Sequence, residues 1–114
     1  MGLALRYVPQ PDGSVSANFI GHSALEGYPG LLHGGVIAAL LDGAMTNCLF
    51  AQGCCALTAE LNVRYHQSVS AAEEMLLRAW LEENTHGLYQ LRAELTQSGK
   101  VKASATGKFM LNHE

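Results

Sequence analysis

The chain has 114 residues, enough for one domain with a genuine core and too few for two. It is 48% hydrophobic and 15% charged, the balance of a globular domain, with a charge low enough to suggest surface covered by another subunit. A net charge of −3 without a basic run or low-complexity tract excludes general attraction to nucleic acid or to an anionic membrane.

The first third of the chain is the least patterned. Leu3–Val8 and Ser14–Ile20 read as two strands around the turn Pro9-Gln10-Pro11-Asp12-Gly13, and residues 21–32, with Gly27, Pro29 and Gly30, read as a loop. No charged-then-apolar leader is visible, and the apolar run Val36–Leu41 is too short to span a bilayer. From His33 to about Leu49 the spacing of Ile37, Leu40, Leu41, Ala44, Met45 and Cys48 predicts a helix with a wide apolar stripe, ending before Gly53.

Alternation governs the rest. Leu57, Ala59, Leu61, Val63 and Tyr65 interleave with Thr58, Glu60, Asn62, Arg64 and His66, the period of a long half-buried strand. Further strands are expected over about Glu74–Glu82, from Tyr89 to Thr96 and from Val101 to Leu111, separated by turn chemistry at Asn84-Thr85-His86-Gly87 and Gln97-Ser98-Gly99-Lys100. One helix cannot cover both faces of a six-stranded antiparallel sheet. The pattern therefore predicts an α+β domain over residues 1–114, a sheet wrapped around one long central helix, with its edges blunted by pairing with another subunit.

The helix start carries the chemistry. In Leu32-His33-Gly34-Gly35 no side chain crowds the turn after His33, so the unpaired N–H groups and the positive end of the helix dipole stand open to a carbonyl oxygen. Asp42 then falls in an apolar segment, where a carboxylate is costly unless paired or used. Together these predict a site that polarises a carbonyl and activates water. Cys48, Cys54 and Cys55 are odd in number and lack metal-ligand spacing, so they read as core or near-core residues of a reducing, cytoplasmic location, with no metal site. His22, His66, His86 and His113 carry no ligand spacing, while Tyr65, Trp80 and Tyr89 read as packing residues.

Tyr28-Pro29-Gly30-Leu31-Leu32-His33-Gly34-Gly35, Leu41-Asp42 and Thr58-Ala59-Glu60-Leu61-Asn62-Val63-Arg64-Tyr65 are the pieces by which the chain resembles the hotdog-fold acyl-CoA thioesterases of the phenylacetate-pathway (PaaI-like) group. The resemblance implies the hotdog fold and hydrolysis of an acyl-CoA to free acid and coenzyme A. It implies that the Gly34 N–H receives the thioester oxygen, that Asp42 is general base or nucleophile, and that Thr58 orients water or substrate. His33 would support the oxyanion site, with Gly35, Asn62 and Arg64 toward the substrate. No cofactor is implied beyond the coenzyme A of the substrate, whose phosphates could meet Arg64, Arg92, Lys100, Lys102 or Lys108. Where many relatives have a loop Asn, this chain has Glu26-Gly27, and Gly43 follows Asp42 where some have a second acid.

Gly34 and Asp42 lie eight positions apart, roughly 12 Å along a helix axis. An Asp side chain cannot close that gap. If both serve one reaction, two antiparallel copies of the helix must meet, which predicts a two-fold homodimer, and by the resemblance a dimer of dimers. Two alternatives remain: a non-catalytic acyl-CoA-binding hotdog protein, and a hotdog enoyl-CoA hydratase or dehydratase.

Overall fold

The computed structural model describes residues 5–111. Strands β1 (Val8–Pro9) and β2 (Val15–Phe19) lead through a short 3-10 turn at Ser23–Leu25 to the single helix α1 (Gly34–Ala51). Then follow β3 (Ala56–Tyr65), β4 (Met75–Thr85), β5 (Leu88–Gln97) and β6 (Lys100–Leu111). All six strands join one antiparallel sheet in the order β1-β2-β4-β5-β6-β3. This is the α+β architecture expected from the sequence.

Two tight hairpins set the register of the long strands. The β4–β5 turn is His86-Gly87, with φ of 53° and 81°, and the β5–β6 turn is Ser98-Gly99, with φ of 54° and 74°. Positive φ at both central residues matches the right-handed twist of the flanking strands, and Gly in the second place adopts it without steric cost.

The helix buries Val36, Ile37, Leu40, Leu41, Ala44, Met45, Cys48 and Leu49. They meet Leu77, Ala79, Leu91, Ala93, Leu95, Ala103, Ala105 and Phe109 from the inner face of the sheet, in one core. The recurrent alanines let the helix lie close to the sheet. At 18 residues α1 is long and apolar enough to cross a membrane by length and composition. Its extent exceeds the uninterrupted apolar run Val36–Leu41. The sheet against its buried side explains that apolarity.

The first expected strand differs most. Leu3 and Ala4 lie outside the described residues, and pairing is confined to Val8 and Pro9. Leu5 and Tyr7 instead pack against the core, and the Tyr7 hydroxyl donates to the Leu40 carbonyl at 3.3 Å. The contact fits a notch: a Cβ on Gly43 would sit 3.2 Å from the Tyr7 hydroxyl. Burial, and after it the Asp42 charge, push the Tyr7 phenol up to about 12. Folding thus favours the neutral phenol, and this stabilisation is full below pH 10 and is lost as pH rises toward about 12. Tyr7→Phe is expected to flatten that part of the stability profile, read as urea midpoints from pH 9 upward; parallel profiles for both proteins would contradict the placement.

Among the cysteines, Cys48 is buried and Cys54 half-buried, but Cys55 is exposed, unlike the near-core position expected. Tyr89 is buried and Trp80 half-buried, its ring 5.1 Å from the Arg78 guanidinium. Tyr65 is not a packing residue: it is 53% exposed. His113 lies outside the described residues.

Candidate active site

The loop entering α1 is fixed by backbone bonds. Leu32 N–H donates to the Val69 carbonyl at 2.8 Å, His33 N–H to Leu25 at 2.9 Å and Gly27 N–H to Leu31 at 3.0 Å. His33 has the extended backbone of an N-cap, and its Nδ1 accepts the Gly35 N–H at 2.8 Å. With Nδ1 taken up by that N–H, Nε2 is the ring nitrogen left to face a ligand. His33 thus supports the helix start.

The two glycines answer different demands. A Cβ on Gly35 would lie 3.1 Å from His33 Nδ1 and Cε1, so the cap needs a bare residue there. A Cβ on Gly34 would have the Tyr65 side chain as its nearest neighbour, at 3.7 Å. The His33 carbonyl accepts from Val36 and Ile37. Among the described residues the Gly34 N–H has no hydrogen-bond partner. It is the donor left open at the positive end of the helix.

Two turns further on, Asp42 is half-buried and its Oδ1 accepts the Thr58 hydroxyl at 2.9 Å. Among the described residues no cation forms a salt bridge with it. A neutral hydroxyl therefore orients the carboxylate.

A β-bulge makes that contact. Thr58 pairs with Phe109 and Glu60 with Lys108, so Ala59 is the extra residue. Phe109 is fully buried, which turns Thr58, opposite it, toward the helix. Beyond the bulge Leu61 and Val63 face inward, opposite Gly107 and Ala105. The unbroken alternation read from the sequence is corrected here: Leu57 points outward, 61% exposed, opposite the 56% exposed Met110.

Asn62 and Arg64 are not brought to this site. They lie opposite Thr106 and Ser104, which alternate with the buried Ala103 and Ala105, on the outer face of the sheet. The cations considered for phosphates are largely engaged elsewhere: Lys108 with Glu60 at 3.6 Å, Arg92 with Glu82 at 3.9 Å and Lys102 with the Gln67 amide at 2.9 Å. No group of three or more His, Cys, Asp or Glu that could hold a metal occurs among the described residues.

Sequence reasoning passed over Tyr65. Its hydroxyl donates to the Gly34 carbonyl at 2.8 Å. The available signal was Tyr as the one polar-tipped member of the alternating set Leu57, Ala59, Leu61, Val63 and Tyr65. Thr58 and Tyr65 both belong to β3, which among the described residues is an edge strand pairing only with β6. One end of that strand holds Asp42, and the other holds the start of α1. In one chain the two ends lie roughly 12 Å apart along a continuous helix.

A single helix on the inner face of a six-stranded antiparallel sheet, with an open helix start and a hydroxyl-held acid, defines the hotdog class. The Thioesterase superfamily model matches residues 29–103, from the loop before His33 into the start of β6. The chain belongs to the thioesterase superfamily. It is similar to the acyl-coenzyme A thioesterase THEM4 of Mus musculus, 32% identical over 65 residues, which is 57% of this chain and 28% of that protein's length. It is also similar to a phenylacetic acid degradation-related protein from Ralstonia eutropha JMP134, with 27% identity, a TM-score of 0.82, and coverage of 95% of this chain and 83% of the other. A Streptococcus mutans UA159 protein solved with acetyl CoA bound shares the fold, with a TM-score of 0.90 at 18% identity over 100% of this chain and 93% of that one.

Proposed function

We propose that this protein is an acyl-CoA thioesterase working as a homodimer, with each site shared between two subunits. The carrying observation is the unpartnered Gly34 N–H on the helix that presents Asp42, held by Thr58 at 2.9 Å. The relation to THEM4 supports the acyl-CoA class. Two copies meeting about a two-fold axis, with their helices antiparallel, would set the partner subunit's Gly34 opposite Asp42.

In the proposed reaction the thioester oxygen accepts the Gly34 N–H. Asp42 takes a proton from water as the water oxygen bonds to the carbonyl carbon, or attacks that carbon itself to give an anhydride that water then opens. The tetrahedral oxyanion is stabilised where its charge develops. Its collapse breaks the carbon–sulfur bond, the acid is released, and coenzyme A leaves as a thiolate that takes up the proton. The reaction consumes only thioester and water and needs no metal or redox group.

The hydratase reading wants a histidine base, and His33 has Nδ1 occupied by the Gly35 N–H. The test is thiol release from acetyl-, hexanoyl-, palmitoyl-, benzoyl- and phenylacetyl-CoA, with crotonyl-CoA hydration followed in parallel. Thiol release on at least one acyl-CoA is expected. Tight binding without release would make the protein a carrier or sensor, and hydration alone would make it a hydratase.

A further inference from the structure

We infer that Tyr65 is a positioning residue for the Gly34 N–H, holding the first peptide of α1 from the side opposite His33. The inference rests on the thioesterase reading and adds a residue to it.

The Gly34 carbonyl and the Gly35 N–H belong to one peptide unit. Tyr65 donates to its oxygen at 2.8 Å, and His33 Nδ1 accepts its hydrogen at 2.8 Å. One peptide plane is thus held at both ends by side chains that come from different parts of the fold. The need for this is local. Two successive glycines have the widest backbone freedom of any pair, and they stand at a helix end, where the hydrogen-bond ladder is incomplete. The Gly34 N–H lies on the preceding peptide, whose His33 carbonyl accepts from Val36 and Ile37, and the clamp fixes the neighbouring peptide across the Gly34 Cα.

An oxyanion donor acts by being aimed before charge develops, so looseness costs rate more than ground-state binding. The Gly34 oxygen has a second lone pair, so it can accept the Tyr65 hydroxyl and also serve the helix ladder. The Tyr65 hydroxyl has a choice, because the side chain is 53% exposed and water is available. It is nevertheless bonded to a carbonyl 31 residues away in sequence. β3 therefore carries two rulers, Thr58 for the acid of its own subunit and Tyr65 for the donor that serves the partner.

Tyr65→Phe keeps the ring and removes the hydroxyl. In the intact protein it is expected to lower kcat about tenfold and to leave KM near the wild-type value, the signature of an interaction felt in the transition state. It is also expected to speed amide hydrogen exchange at Gly35 by about fivefold, the effect of one lost hydrogen bond. The exchange arm reads the clamp without turnover. If the wild type releases no thiol from any acyl-CoA, the thioesterase reading falls and exchange at Gly35 alone decides whether the clamp exists. If the wild type is active and Tyr65→Phe matches it in kcat and in Gly35 exchange, the inference is overturned. A loss carried wholly by KM would also overturn it, making Tyr65 a substrate wall.

Discussion

Asp42→Asn is expected to lower kcat on the preferred acyl-CoA by about 10²–10⁴, the usual worth of a positioned general base. The amide is nearly isosteric, and its oxygen can still accept the Thr58 hydroxyl that Oδ1 now receives at 2.9 Å. The fold should therefore survive. Asp42 has no salt-bridge partner among the described residues, so removing its charge strands no cation. The check is steady-state thiol release beside a urea melt. Activity within a few-fold of wild type, in a variant with an unchanged melt, would remove Asp42 from the chemistry and leave it a polar group satisfied by Thr58.

Gly34→Pro should act on the other half of the site. Proline has no N–H, so the substitution deletes the proposed oxyanion donor and sets the ring Cδ where that hydrogen pointed. It suits the position, because Gly34 is the first residue of α1, where proline is well tolerated. His33 already has φ −63° and ψ 137°, the extended conformation that a residue before proline prefers. The nearest atoms to an added Cβ are those of the Tyr65 ring at 3.7–3.8 Å, ordinary contact. A fall in kcat of about 10²–10³ is expected, comparable to loss of an oxyanion-hole donor elsewhere. Gly34→Ala retains the N–H and serves as the steric control. A full loss in both variants would point to crowding, and an active Gly34→Pro enzyme would contradict the donor role.

The parts of this fold that depend on neighbouring residues are legible in the sequence. His86-Gly87 and Ser98-Gly99 announce their hairpins, and the apolar stripe from Val36 to Leu49 announces α1. The placing of Asn62 and Arg64 was legible too, since alternation with Leu61 and Val63 already assigns them to the outer face. What stayed hidden was long-range. The bulge at Ala59 depends on how β3 settles against β6, and it decides that Thr58 reaches Asp42. Tyr65 reaches Gly34 only once the edge strand lies beside the helix start. Tyr7 has the apolar neighbours of a strand residue, but the Leu40 carbonyl and the Gly43 notch claim it.

The shared site is best tested by mixing the two crippled proteins. In the proposed dimer, Asp42→Asn and Gly34→Pro each remove one half of every site. A mixed dimer has one site with both defects and one with neither. After equal amounts are unfolded together and refolded, random pairing predicts recovery of about a quarter of wild-type activity, as half the dimers are mixed and each restores one of its two sites. Refolding either variant alone should recover nothing. If the mixture stays as inactive as its parents while mass spectrometry shows mixed dimers, Asp42 and Gly34 do not meet across a subunit boundary, and the two-copy site is wrong.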